Sequence, residues 1–317
     1  MPPRQLRLGT RQSALALAQS GLVARALEGR IAGLNVELVP IVTRGDRWPG
    51  DLAEVGGKGW FTEELEADLL ADRLDLAVHS LKDLPVTLPQ GLAIAAFPPR
   101  ADARDVLVSD LADDLAGLPA GSVLLTGSLR RRAQILRHRP DLVVEPVRGN
   151  VDTRLEKWRS QKAAGVILAA AGLARLGVGG IPAHPLPPAV VQPAPGQGTL
   201  AIEVRAGSPA EDLCRRLNDP ETALAAAAER AVVAAFGGDC TLPLSAWARR
   251  EESTFRLDAR LTTPDGRREA RGGASTAAVD PASLDLATLA DACVAALRKD
   301  GAEDVLRALG RAPLQPS

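Results

Sequence analysis

The sequence predicts an α/β protein built on two sheets and followed by a smaller α+β unit. Three observations carry this. Short β-rich runs alternate with helical patterns through the first two thirds of the chain. Two proline-punctuated stretches, "AAFPPRADARD" (95–105) and "IPAHPLPPAVVQPAPGQG" (181–198), frame the second set of runs like linkers. After about residue 218 the texture changes to a long alanine-rich helix, two β-rich runs and two closing helices. Strand–helix alternation implies largely parallel sheets covered by helices on both faces. The expected domains are 1–98 with 196–217, then 102–192, then 218–317.

Taken in order, "LRLGT" (6–10) is a strand, and "SALALAQSGLVARALE" (13–28) is a helix with Ser13 at its N-cap. "VELVPIV" (36–42) is the second strand. "FTEELEADLLADR" (61–73) has helical periodicity with Leu65, Leu69 and Leu70 inward, and "LDLAVHS" (74–80) is a buried strand running straight into "LKDLP". The second set has strands at 105–109, 123–126, 142–147 and 165–170, with helices opening at Ser128 and near Asn150. "TLAIEV" (199–204) is one more buried strand, placed so that the chain can return to the first sheet. The last unit has a helix over 220–236, strands over 244–250 and 254–261, and amphipathic helices over 283–298 and 302–310.

Bulk properties narrow the function classes. The 317 residues carry 38 basic and 39 acidic side chains, a formal charge of −1, so no global field draws the molecule to nucleic acid or an anionic membrane. Aromatics are 3% of the chain, too few to interleave with arginines as base-stacking platforms. The N-terminal "MPPRQLRLGT" has no apolar h-region and no stretch reaches the length of a membrane span, so a cytoplasmic protein is expected. Cys214, Cys240 and Cys293 are widely spaced and form no C-x-x-C pair; free thiols are expected, with no disulfide and no metal site. Cys214 and Cys293 lie on apolar helix faces. Cys240, in "FGGDCTLPLS", follows two glycines that open space around the sulfur, while Asp239 disfavours its thiolate.

Charged motifs recur where such sheets usually bind ligands, after strands and at helix N-termini. They are "TRQS" (10–13), "TRGD" (43–46), "HSLKD" (79–83), "TGSLRR" (126–131) and "RGNVDTR" (148–154). In "TGSLRRRAQ", a helix capped by Ser128 puts Arg130, Arg131 and Arg132 in its first turn, where the helix dipole disfavours each cation by about 0.3–1 kcal/mol. A bound polyanion would offset that, and replacing Arg130 or Arg131 by leucine should then hardly change stability; a solvated basic turn is the alternative. In "HSLKDLP", Pro85 stops a helix from starting at once, so Lys82 and Asp83 sit on a short, stiff loop. A carboxylate there can carry a proton to a leaving group and then stabilise a cation, or be half of a surface ion pair. His79 reads as a hydrogen-bonded packing residue.

Together "TRQSALALAQ", "VTRGD", "VGGKGWF", "AVHSLKDLP", "TGSLRRRAQ", "RGNVDTRL", "AAAGLARLG", "PAPGQGTLAIE" and "AAERAVVAAFGGDC" occur in the order found in the porphobilinogen deaminase (hydroxymethylbilane synthase) family, and the resemblance runs from about residue 5 to 310. It implies three domains, the first two resembling the type II periplasmic-binding fold and the third carrying the cofactor cysteine. It also implies a transferase of heme and porphyrin biosynthesis that condenses four porphobilinogens head to tail with loss of ammonia. Growth takes place on a covalent dipyrromethane primer, and the product is released as linear hydroxymethylbilane. By motif position Cys240 matches the cysteine that holds dipyrromethane through a thioether, and Asp83 the catalytic aspartate. Lys82, Ser128, Arg130, Arg131 and Arg154 match cofactor-holding residues, and Arg11, Ser13, Lys58, Phe61, Arg148, Arg175 and Gln197 match substrate-holding, lid and hinge-side residues. The expected partner is porphobilinogen, with no nucleic acid and no membrane, for a monomer.

Three positions depart from the family pattern. Gly127 stands where many relatives have a first serine before "LRR", Trp60 where leucine is common, and Gly-Gly-Asp-Cys where Glu-Gly-Gly-Cys is usual. The chemistry and the residues agree: porphobilinogen carries an acetate and a propionate, so a growing chain accumulates carboxylates that strand-end arginines can neutralise. The competing reading is a two-lobed anion-binding module without catalysis.

Overall fold

Strand β1 (Gln5–Arg11), with Leu6 and Leu8 fully buried, pairs in parallel with β2 (Asn35–Ile41) on one side and β3 (Leu76–Ser80) on the other in a computed structural model that describes residues 5–47, 60–238, 242–277 and 285–314. The chain divides into two units, Met1–Arg100 with Thr199–Ala223, and Ala101–Gly198 with Leu224–Ser317.

In the first unit α1 (Ala14–Arg30) starts where Ser13 Oγ accepts the Ala16 N–H, satisfying an orphan donor of the first turn. Its Val23 and Leu27 pack with Leu6, Leu8 and Val36 on one face of the sheet. A short turn, α2 (Arg44–Arg47), follows β2; then α3 (Glu63–Leu70) covers the other face, with Leu65 and Leu69 against Leu74 and Ala77. Leu70, expected to point inward, is 45% exposed, because the helix ends there and its apolar stripe is already filled by Leu65 and Leu69. Sheet order is β2-β1-β3-β10-β4, with β4 (Leu92–Ala96) at the edge and β10 (Leu200–Arg205) between β3 and β4, antiparallel to both. The chain does return to its first sheet through "TLAIEV". Helix α7 (Pro209–Arg215) then packs Leu213 and Cys214 into the same core.

The second unit repeats this plan. Its five-stranded sheet has the order β7-β6-β8-β5-β9, from β5 (Asp105–Val108), β6 (Val123–Leu125), β7 (Val143–Glu145), β8 (Gly165–Ala169) and β9 (Ala183–Pro185). β6 is parallel to β7 and β8, while β5 is antiparallel to β8 and β9. Each lobe thus has three parallel strands, one antiparallel crossing strand and an edge strand. The largely parallel sheets expected from alternation are mixed, because a crossing strand lies next to the third parallel strand in each. β9 falls inside the stretch read as a linker; an edge position is where a sheet tolerates proline. Helices α4 (Leu129–His138), α5 (Val151–Ser160) and α6 (Ala170–Leu176) each follow one of the parallel strands.

After α8 (Pro220–Ala235), β11 (Leu244–Glu251), β12 (Thr254–Thr262) and β13 (Glu269–Ala277) form an antiparallel sheet backed by α9 (Leu286–Lys299) and α10 (Ala302–Ala308). Phe255, Leu257, Leu261, Val232 and Leu297 meet in one core. β13 has no counterpart in the sequence reading: "EARGGASTA" lacks the β-branched and aromatic residues that mark strands, and its ladder with β12 forms it.

Cys214 and Cys293 are fully buried. Burial and then Asp75 push the Cys214 thiol up to about 12, and burial and then Asp258 do the same for Cys293. Near pH 8 only about one in ten thousand of either is then thiolate. Maleimide should label neither in the folded protein and both in urea, as read by mass spectrometry. Labelling of the folded protein at the rate of an ordinary free thiol would refute the buried placement.

Candidate functional site

Every strand-end motif lies at the C-terminal end of its strand. In the first unit the ends of β1, β2 and β3 supply Arg11 with Ser13, Thr43 with Asp46, and the turn Ser80–Asp83. The Arg11 guanidinium lies 4.1 Å from the centre of the Phe61 ring and forms an ion pair with Asp46. Asp46 also accepts from Thr43 Oγ1 at 2.7 Å. Burial, the largest influence on Asp46, raises its pKa, but the hydrogen bonds from Arg11 and Thr43 bring it below the usual carboxylate range. Phe61 is placed by the preceding residue, whose carbonyl accepts the Gly45 N–H at 2.7 Å.

Asp83 ends a 3₁₀ turn, Leu81–Asp83, that is pinned from both sides. Leu81 and Leu84 are buried, and the Leu81 N–H donates to the Thr199 carbonyl at 3.0 Å. The Asp83 side chain itself is exposed and lines a small cavity of about 30 Å³ with Arg11, Phe61, Thr62, His79 and Ser80, room for about one water. This is the short, stiff loop that Pro85 implied, and Lys82 lies beside Asp83 on it.

Under that turn is a cluster that the sequence reading missed. His79 Nε2 is 2.8 Å from Glu203 Oε2, both groups buried, so His79 is the packing residue expected. Glu66 on α3 is buried beside them; desolvation and then Glu203 raise its pKa. An acid inside "TLAIEV" or on a helix reads as solvent-facing, and only the pairing of β3 with β10 reveals its partner.

In the second unit Ser128 caps α4, its Oγ accepting the Arg131 N–H at 3.4 Å, so the first-turn arginines are where the motif put them. Their environment corrects the expectation. Arg130 and Arg131 are only 5% exposed, and both grip Asp105, a fully buried carboxylate on β5. Arg130 Nη1 lies 2.7 Å from Asp105 Oδ2, and Arg131 Nη2 2.7 Å from Oδ1. Arg131 Nη1 also donates to the Ile167 carbonyl at 2.8 Å, and Gln197 Nε2 donates to Asp105 Oδ1 at 2.9 Å. The anion that offsets the helix dipole is therefore supplied by the chain itself. These are neither solvated charges nor side chains whose loss leaves stability unchanged, because removing either takes an ion-pair partner from a buried carboxylate. Arg130 Nε is buried with no hydrogen-bond partner among the described residues.

Asn150 caps α5 through the Thr153 N–H at 2.9 Å, Arg154 Nε donates to the Gly149 carbonyl at 2.8 Å, and Arg148 is exposed. Arg175 on α6 donates to the Gly198 carbonyl at 2.6 Å, and burial pushes its guanidinium down to about 10. No ion pair of Arg175 occurs among the described residues. At Gly127 a Cβ would stand 2.6 Å from the Val147 carbonyl oxygen, so this backbone has no room for a side chain there. Lys58 and Cys240 lie outside the described residues.

Replacing Asp105 by Asn leaves two buried guanidiniums without their carboxylate and should cost about 3–5 kcal/mol in urea unfolding near pH 7. Burial favours the neutral acid most, yet Arg130 and Arg131 hold Asp105 at about 2 against an ordinary 3.8. A depressed pKa gives stability that is complete above the ordinary value and lost as pH falls through the folded one. The gap between Asp105→Asn and the parent protein should therefore stay level down to about pH 5 and narrow as pH drops from 3.8 toward 2. A gap under about 1 kcal/mol at neutral pH would show that the cluster is no more than a surface pair.

Residues 6–212 match the family model of the porphobilinogen deaminase dipyromethane cofactor-binding domain, and residues 223–290 that of the porphobilinogen deaminase C-terminal domain. The chain is similar to the porphobilinogen deaminase of Paraburkholderia phymatum, 44% identical over 316 residues that cover 98% of this chain and 95% of that one. It is also similar to that of Geobacillus kaustophilus, 47% identical over 270 residues, 83% of this chain and 86% of that one. Among solved structures, that of the methionine binding protein MetQ matches 68% of this chain and 90% of its own at 13% identity, with a TM-score of 0.39. Matched along nearly its whole length by such relatives, the chain belongs to the porphobilinogen deaminase family.

Proposed function

We propose that this protein is a hydroxymethylbilane synthase, a transferase that joins four porphobilinogens head to tail with release of ammonia. Its product is the linear tetrapyrrole hydroxymethylbilane, an intermediate on the way to porphyrins and heme. The observation that carries the reading is Asp83: an exposed carboxylate on a pinned turn, in the same cavity wall as the Arg11 guanidinium. Such a group, as the carboxylic acid, gives its proton to the departing amine of porphobilinogen and, as the carboxylate then left, stabilises the positive charge on the ring. A non-catalytic anion-binding module finds no support in relatives that are named deaminases.

The residues fit a dipyrromethane primer with acid side chains. Arg130 Nε is a buried donor without a partner among the described residues, and Arg175 is a desolvated cation with no ion pair among them. Guanidinium forks match carboxylates in pairs. Lys82, Ser128, Arg130, Arg131 and Arg154 would hold the primer, and Arg11, Ser13, Lys58, Phe61, Arg148, Arg175 and Gln197 would hold the substrate's acid groups or close over them. Bound through a thioether to Cys240, the primer supplies the pyrrole carbon to which the first substrate is joined. Asp105 acts behind them as a positioning residue, fixing the two arginines. We infer that it works as a monomer in the cytoplasm; among the described residues no helix is long and apolar enough to cross a membrane.

Two measurements test this. The intact protein should exceed its sequence mass by two linked pyrroles, with the excess on the peptide containing Cys240 and none on Cys214 or Cys293; an unmodified Cys240 in fully active enzyme would overturn it. Asp83→Asn keeps the shape of the side chain and loses the proton, so ammonia release should slow by at least ~100-fold while the protein stays folded and loaded. Unchanged ammonia release would remove Asp83 from the chemistry.

A further inference from the structure

The C-terminal sheet has a charged face that the proposed reaction does not use. Alternation along β11, β12 and β13 turns Ala246, Leu257 and Ala270 toward the helices and Trp247, Arg249, Arg256, Asp258, Arg260 and Arg271 to the opposite side. The register places Arg249 directly across from Arg256, and Arg260 directly across from Arg271. Like charges directly opposite destabilise a ladder, so two such pairs on one face call for a compensating anion. For the first pair the chain supplies it: Asp258 lies 2.8 Å from both Arg249 and Arg256. The second pair is not served in this way. Arg271 is paired with Glu269 on its own strand, while Arg260 forms no ion pair among the described residues and donates to the carbonyls of Ala189 at 3.0 Å and Pro188 at 3.4 Å. Burial and then Arg271 push the Arg260 guanidinium below its ordinary pKa.

A cavity of about 420 Å³ opens over this pair, in the size range of small-ligand pockets. Pro188, Ala189 and Trp247 form an apolar part of its lining. Gln192, 2% exposed, also lines it: Nε2 donates to the Asp258 carbonyl at 2.6 Å, and buried Oε1 has no donor among the described residues. The floor is open at Gly273, where a Cβ would stand 2.8 Å from Asp258 Oδ1. A concave site with a cation that is bonded to carbonyls but has no ion pair among the described residues, an orphan acceptor and an apolar wall is what a small amphipathic anion requires.

We propose that this face is a second binding site, distinct from the condensation chemistry, for a small organic oxyanion: a carboxylate or phosphate head on Arg260 and Arg271, a ring-sized body against Pro188 and Trp247, and a hydroxyl or amine donor toward Gln192 Oε1. Gln192 also accepts from Arg130 through its backbone carbonyl, so the site abuts the Asp105 cluster.

Calorimetric titration of the cofactor-loaded protein at constant ionic strength tests the site, with 4-hydroxybenzoate and 4-hydroxyphenyl phosphate as probes and phenol as the headless control. At least one probe should bind with Kd below about 1 mM and phenol should not. Binding should weaken tenfold or more in Arg260→Gln and in Arg271→Gln, and stay unchanged in Arg267→Gln, which makes the same charge change on an exposed neighbour. The stronger probe identifies the head. Arg271 is exposed and holds no carbonyl, so Arg271→Gln carries the test if Arg260→Gln does not fold; its ammonia release without probe should equal that of the parent, which separates this site from the one around Asp83. No heat of binding for either acid at about 10 mM, or equal affinity in Arg271→Gln and parent, would overturn the proposal.

Discussion

The second unit depends on one buried carboxylate. Asp105 opens the crossing strand of its sheet with no exposure to water, a position that is costly for a charge unless several donors surround it. Arg130 and Arg131 from α4 and Gln197 from the segment before β10 supply them. The same guanidiniums reach the carbonyls of Ile167 on β8 and Gln192, so one anion fixes the entry angle of a helix, the spacing of two strands and the course of a proline-rich segment. Gln192 then passes a hydrogen bond to Asp258 in the C-terminal sheet. Removing Asp105 leaves two guanidiniums uncompensated in a low-dielectric interior, and removing any other member takes a hydrogen bond from a buried charge, which is why the cluster behaves as a unit and not as separate contacts.

Around that constraint the two lobes use one sheet plan to similar ends. Parallel strands end on the same side, so the loops after β1, β2 and β3, and after β6, β7 and β8, deliver side chains in sets of three. The first lobe uses its set to hold a carboxylate, Asp83, beside a guanidinium stacked on an aromatic ring. The second uses its set for cations at helix starts.

Charge accounting also separates the arginines that are already satisfied from those that are not. Arg131 and Arg249 each have a carboxylate partner, with a carbonyl or an indole ring besides. Arg175 and Arg260 are desolvated yet lack an ion pair among the described residues, and each bonds only to backbone carbonyls there. Net charge near zero hides this distinction, since it counts Arg260 and Arg131 alike.

Much of the protein was legible in its sequence, because the features concerned are local. Ser13, Ser128 and Asn150 cap helices with their own side chains, alternation marks the long strands, and the motifs after strands mark the loops that carry Asp83 and the arginines. The order of those motifs identified the family. Edge strands Leu92–Ala96 and Ala183–Pro185 and the glycine-rich Glu269–Ala277 were not legible, since their backbone is held by neighbouring ladders and not by their own propensity. Nor were the pairings of Asp105 with Arg130 and Arg131, of His79 with Glu203, or of Arg260 with Arg271 across a ladder. Whether a charge is solvated, paired or left wanting depends on what the fold brings to it from 11 to 124 residues away, and burial sets the cost of that answer.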